Sequence, residues 1–179
     1  MYFNKIDGNR IYLSPVNHED APIYCKWLND PLVAQGIGGL TKVYSVLNEE
    51  SFLENVEKSG DYVFAIILKD GNKLIGNCGI HNYNSVNRTA TLGIFIGEEE
   101  YRSKGYGSEV IKLLIDYGFN ILNLNNIDLK VFSFNERAIA CYKKCGLKEY
   151  GRRHNACYMD NKYYDQISME ILREDYYKN

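Results

Sequence analysis

The sequence predicts an α+β domain: one strongly twisted mixed sheet with helices on both faces. Three observations carry the prediction. Strand-like segments follow one another in hairpin order through the first half of the chain. Near Gly107 the apolar period changes from two to about 3.6. A strand, a short helix and a last hairpin then close the chain, an order typical of α+β folds. With 179 residues there is room for one core, and 45% hydrophobic with 25% charged residues is a globular balance. A net charge of -2 gives no basic field to hold a phosphate backbone, so no nucleic acid partner is expected. The longest apolar run, Tyr62 to Leu68, is far too short to cross a bilayer, so no membrane association is expected either.

In order along the chain, Arg10 to Leu13 alternates and ends at Ser14-Pro15, an opening strand closed by a turn. Asn17 or His18 caps a helix carrying Ala21, Tyr24, Cys25 and Leu28, which Asn29-Asp30-Pro31 stops, and a short irregular segment is expected after it. Asn48 with Ser51 begins a second helix running to about Lys58, with Glu49, Glu50, Glu54 and Glu57 on its outer face and Gly60 at its end. Tyr62 to Leu68, the turn Asp70-Gly71-Asn72 and Leu74 to Ile80 form a hairpin, and Arg88 to Ile96 adds a strand. Val110, Ile111, Leu114, Ile115 and Phe119 mark a helix of four or more turns beginning at Gly107. A strand at Ile127 to Phe132, a helix from Asn135 to about Cys145 stopped by Gly146, and a hairpin of Leu147 to Met159 with Tyr163 to Leu172 complete the chain.

The N-terminus lacks the basic-then-apolar pattern of a secretory signal, so a cytoplasmic location is expected. Five scattered cysteines without a Cys-x-x-Cys read as reduced core fillers, including Cys141 and Cys145 on one helix face, and no metal is expected.

The sharpest local signal is Arg102-Ser103-Lys104-Gly105-Tyr106-Gly107, between the strand ending at Ile96 and the long helix. Glycines keep side chains off the backbone, and the unpaired N–H groups of a first helical turn attract an anion, so a pyrophosphate suits this corner. Alone, two glycines flanked by Arg102 and Lys104 would be an ordinary solvated turn. The segment is neither a Walker loop nor a dinucleotide fingerprint, which would need glycine at Val110. Thirty residues on, Asn135 opens a helix as a natural N-cap, and Tyr142 places a phenol two turns further along the same face. Alone, these too read as a cap and a packing residue.

Together the two elements resemble those of the GNAT acyl-CoA-dependent N-acetyltransferases. Arg102 to Gly107 is similar to that family's loop Arg/Gln-x-x-Gly-x-Gly/Ala, and Asn135 to Leu147 to its Asn-x-x-Ala-x-x-x-Tyr-x-x-x-Gly-Phe element. Arg10 to Leu13, Trp27 to Val33 and Tyr158 to Ile171 resemble the RimJ/RimL-like branch, which includes spermidine acetyltransferases.

The resemblance implies a single acetyltransferase domain over residues 1–179, with about seven strands splayed between the fourth and fifth and acetyl-CoA entering the gap. It implies that the backbone of Ile94, Phe95 and Ile96 pairs with the pantetheine arm. Amides over Ser103, Lys104, Gly105, Tyr106, Gly107 and Ser108 would hold the pyrophosphate beside Arg102; Asn135, Ala138 and Lys144 complete the donor set. Tyr142 is implied as the acid that protonates the departing thiolate, a weak phenol acid near 10 against a thiol near 8.5.

The general base stays open. Relatives often carry Glu on the fourth or fifth strand, where this chain has Thr91 and Lys130; His81, which also reads as an ordinary surface histidine, and a water chain are the alternatives. The resemblance implies acetyl transfer to a primary amine, with the N-terminal amine of a protein or peptide as the first acceptor. A polyamine is second, for which Glu49, Glu50, Glu54 and Glu57 would form an acidic edge, and a non-catalytic acyl-CoA-binding module is third. Acceptor pockets sit on variable segments, and Trp27, Asp30, Gln35 and Tyr44 lie in the one that usually contributes. Monomer and homodimer both remain open.

Overall fold

Residues 1–178 are described by a computed structural model. Eight strands form one sheet: β1 (Ile6–Asp7), β2 (Ile11–Pro15), β3 (Val63–Leu68), β4 (Lys73–Asn84), β5 (Thr89–Ile96), β6 (Asn126–Phe132), β7 (Lys148–Met159) and β8 (Lys162–Leu172). Their order across the sheet is β1-β2-β3-β4-β5-β6-β8-β7. The two-residue β1 is the strand that the sequence does not reveal, so the expected split between a fourth and a fifth strand falls here between β5 and β6.

That split is the feature the rest of the molecule serves. Neighbouring strands pair antiparallel except β5 and β6, which pair parallel through Thr89, Ala90 and Thr91 with Asn126, Ile127 and Asp128. Beyond Thr91 the two part. β5 continues along β4 to Ile96, and β6 continues along β8 to Phe132. Each therefore has a partner on one side only, and the main-chain groups of Leu92 to Ile96 face an opening.

Two apolar layers hold the sheet. On one face α4 (Tyr106–Asn120) buries Val110, Ile111, Leu114, Ile115 and Phe119 against Ile11, Ile66, Ile75, Leu92, Ile127 and Leu129. On the other, α1 (Ala21–Leu28) and α3 (Val46–Ser59) bury Tyr24, Trp27, Leu28, Leu53 and Val56 against Tyr12, Val63, Ala65, Ile67 and Leu74. Each such side chain contributes about 1.5–3 kcal/mol on burial, so the sheet is held from both faces.

Several boundaries differ from the sequence reading, each for a local reason. The segment expected to be irregular contains the short helix α2 (Pro31–Ala34), capped by Asp30 Oδ1 accepting from the Leu32 amide. α3 starts two residues before Asn48, because Ser45 Oγ accepts from the Asn48 amide. Glu49, expected on the outer face, is buried. β4 runs past Ile80 to Asn84, and α5 (Glu136–Lys144) precedes Gly146 at φ +94°. A last short helix, α6 (Arg173–Tyr177), escapes the sequence pattern.

Candidate active site

From β5 the chain turns at Glu99–Tyr101 and enters α4 through the glycine corner. Gly105 sits at the N-cap with φ +86°, where a side chain would be strained, and no side chain caps the helix. Ser103 is also left-handed, at φ +60°. Left-handed residues among right-handed ones turn successive N–H groups toward one concavity, which suits an anion. The helix dipole adds to it.

Arg10, the residue before β2, braces this corner. Its Nη1 donates to the Lys104 carbonyl at 2.9 Å, its guanidinium lies 4.3 Å from the Tyr106 ring centroid, and its Nε donates to Glu109 Oε2 at 3.1 Å. Glu109 also accepts from the Arg10 amide at 2.8 Å. Burial would raise the Glu109 carboxyl, but these bonds outweigh it and hold it below its ordinary value. The sequence names the amides of Lys104 and Tyr106 as donor ligands; the Lys104 carbonyl accepts from Arg10, the Tyr106 ring lies against its guanidinium, and neither residue lines the opening. Arg102 does line it, yet its guanidinium donates to the Ile96 and Gly97 carbonyls at 3.1 and 2.6 Å and ties loop to strand.

Every other predicted site residue borders one cleft of about 740 Å³ between β5, β6, the loop and α5: Ile94, Phe95, Ile96, Ser103, Gly105, Gly107, Ser108, Asn135, Ala138, Tyr142 and Lys144. Asn135 Oδ1 accepts from the Ala138 amide at 3.2 Å and so caps α5. Tyr142 is largely withdrawn from water, and burial, then the neighbouring Cys141 and Cys145, push its phenol up to about 12. It is a protonated donor throughout the neutral range.

Sequence reasoning missed several lining residues. Arg137 stands inside the quoted α5 motif and donates toward Ser103 Oγ at 3.4 Å. Cys141 is not a core filler: it borders the cleft, with Sγ 3.1 Å from Ser108 Oγ. Hydrogen bonding to Cys145 holds the Cys141 thiol below its usual range and Cys145 above it. The charged side chains lining the cleft are Arg102, Lys130, Arg137 and Lys144, with no Asp or Glu among the described lining residues. A basic trough opening on helix amides suits a polyanion. No cluster of three or more metal-ligating side chains occurs among the described residues.

The acceptor candidates fare differently. Trp27 is a packing residue: a Cβ on Gly97 would lie 2.0 Å from its indole, and its Nε1 donates to Glu98. Asp30 caps α2, and the Tyr44 amide donates to Asn29 Oδ1. None of these, nor Gln35, lines the cleft, whereas Leu32, Val33, Gly36 and Ile37 do. The acidic edge on α3 is also largely engaged. Glu49 is buried, Glu54 pairs with Lys58 and Glu57 with His18. None of its carboxylates borders the cleft.

A sheet that splits at its parallel pair, beside a glycine-rich anion corner and with a shielded phenol in the gap, suits a phosphate-bearing acyl donor. The comparisons with known proteins agree. The family model described as an acetyltransferase (GNAT) domain matches residues 10–148, and the chain belongs to that family. It is 28% identical over 170 residues to the N-acetyltransferase p20 of Bacillus licheniformis, covering 93% of this chain and 95% of that one. With the spermidine N(1)-acetyltransferase of Vibrio cholerae it shares 31% over 129 residues, 72% of this chain and 73% of the relative. The solved spermidine N-acetyltransferase of Vibrio cholerae in complex with CoA and spermine superposes with a TM-score of 0.80 at 25% identity, covering 94% and 98%. The chain is an acyl-CoA-dependent N-acetyltransferase.

Proposed function

We propose that the enzyme transfers an acetyl group from acetyl-CoA to a primary amine of a polyamine such as spermidine. Likeness to a spermidine N(1)-acetyltransferase over nearly three quarters of both chains carries this reading, and it displaces the protein or peptide N-terminal amine as first choice.

In this reading the pyrophosphate lies on the amides of Ser103 to Ser108, with Arg137 and Lys144 adding charge. The pantetheine runs along the open edge of Ile94, Phe95 and Ile96 and passes Asn135 and Ala138. That path directs the thioester toward the inner end of the split, near Gly93 and Tyr142, all of which border the cleft. The neutral amine attacks the thioester carbonyl, a β5 amide near Phe95 or Ile96 stabilises the oxyanion, and the C–S bond breaks. Tyr142 supplies the proton to sulfur. Its raised value makes full prior ionisation unfavourable, so its proton moves only as charge builds on the departing sulfur.

The test is CoA release by the purified protein with acetyl-CoA and spermidine, spermine or N-terminal peptides. Turnover with the polyamines at least tenfold faster than with peptides is expected. Faster turnover with peptides would return the N-terminal amine to first place. Donor binding with no release from any amine would point to a non-catalytic acyl-CoA-binding module.

A further inference from the structure

The site as described has an acid and an anion cradle but nothing to receive the proton that an ammonium must lose. No carboxylate and no imidazole borders the cleft among the described residues. On β5, the residues sharing the face of Phe95 are Gly93 and Thr91, neither of which titrates. The acceptor of that proton must therefore reach the cleft from an adjoining strand.

One group does so. Gly79 on β4 pairs with Gly93 on β5, which leaves a gap in the side chains on that face. Into it folds the imidazole of His81, two residues beyond Gly79. Its Nε2 lies 2.9 Å from where a Cβ of Gly79 would stand and 3.0 Å from that of Gly93. Any larger residue at either position would displace the ring. Gly93 itself lines the cleft, at its inner end where β5 and β6 begin to part.

We propose that His81 is the general base of the reaction, taking a proton from the acceptor ammonium, directly or through one water, across the gap left by Gly93. The assignment rests on acetyl transfer in this cleft but not on the acceptor being a polyamine. Of the two protons that leave nitrogen, one goes through His81 to bulk water and the other ends on the CoA sulfur by way of Tyr142. The amine becomes an amide, the C–S bond is replaced by a C–N bond, and no further reactant is required.

The surroundings fit a neutral imidazole. His81 is an exposed residue, yet partial desolvation of its ring against the sheet lowers its value below 6.5, opposed by the carboxylate of Asp61 in the turn before β3. Tyr62 approaches from the same side through its carbonyl. β5 contributes no charge. Across the row on β6 stand Asp128, level with Thr91, and Lys130. Asp128 is the competing base, but its Oδ2 accepts from Tyr150 at 3.1 Å and its Oδ1 is buried without a partner.

The test is the pH dependence of kcat/KM for wild type, His81→Gln, His81→Asn and Asp128→Asn, on whichever of spermidine, spermine or an N-terminal peptide the wild type acetylates. Wild type should rise through a value below 6.5 and stay level until the amine itself titrates. The His81 variants should lose about 10²–10³-fold at pH 7 and recover about tenfold per pH unit up to the amine's own value, since they act only on free amine. Acetyl-CoA affinity by calorimetry and thermal stability should stay near wild type in at least one of them. A loss equal at every pH would mean that His81 only packs the gap, and the pH-dependent loss appearing in Asp128→Asn alone would give the role to Asp128. Turnover by the wild type with none of these amines would remove the acetyl-transfer reading itself, a different failure from an unchanged profile in a working enzyme.

Discussion

The two halves of the cleft are built by opposite means. The donor half is made of main chain: helix amides at the glycine corner, and the open edge of β5 from Leu92 to Ile96. Its parts lie within three short stretches of sequence, Leu92 to Ile96, Arg102 to Ser108 and Asn135 to Lys144. The acceptor side, in the proposed reading, draws instead on side chains from separate strands beside the cleft. Along the face of His81, the neighbours in register are Thr91 on β5, Asp128 on β6, Glu170 on β8 and Lys148 on β7. Backbone recognition needs glycine and a turn, so it leaves a fixed spacing in the sequence. Side-chain recognition across a sheet needs only register, which leaves none.

The contrast is broken most sharply at Gly105. A branched side chain at φ +86° strains the corner and covers the amides, so Gly105→Val should weaken acetyl-CoA binding by roughly 100-fold or more, read by calorimetry. Unchanged affinity would mean that the amides do not hold the donor. Tyr142→Phe should instead lower kcat by roughly 10²-fold while leaving donor affinity within a factor of about two, because the phenol acts only in the transition state. The same phenol, near 12, stays protonated as the pH rises, so wild-type kcat should show no decline from Tyr142 below about pH 11.

Two smaller effects sharpen the division between scaffold and site. Gly97→Ala would drive a Cβ into the Trp27 indole and should destabilise the fold by about 1–3 kcal/mol, seen as a lower Tm, whether or not donor is present. Arg10→Ala removes the brace behind the corner. Because the Arg10 side chain holds Lys104, Tyr106 and Glu109 through exposed contacts behind the corner, donor affinity should fall by only about five- to tenfold, the effect of one or two exposed charge-assisted bonds.

How much was legible follows from the same contrast. The sheet strands, the long helix and the glycine corner are written in apolar period and turn chemistry, and the strand boundaries fall close to those observed. β1 was not legible, because two residues carry no periodicity; neither was α2, whose signal is one Asp30 cap before Pro31. Within the site, the side-chain directions of Lys104 and Tyr106 were not legible. The spacing of a loop marks candidate amides, not which way its side chains turn, and here Arg10, nearly a hundred residues away, holds the Lys104 carbonyl and the Tyr106 ring. The pairing of the acidic run on α3 was not legible, because composition cannot distinguish a solvated carboxylate from one paired with Lys58 or His18. His81 stood in the sequence as one of three histidines, and only the pairing of Gly79 with Gly93 shows what it faces.

A crystal structure of the protein with bound CoA tests the central claim most directly. It should show the pyrophosphate within hydrogen-bonding distance of amides between Ser103 and Ser108, the pantetheine lying along Ile94 to Ile96, and the sulfur between Gly93 and Tyr142. CoA bound outside the β5–β6 split, or threaded with its sulfur at the glycine corner, would contradict the account.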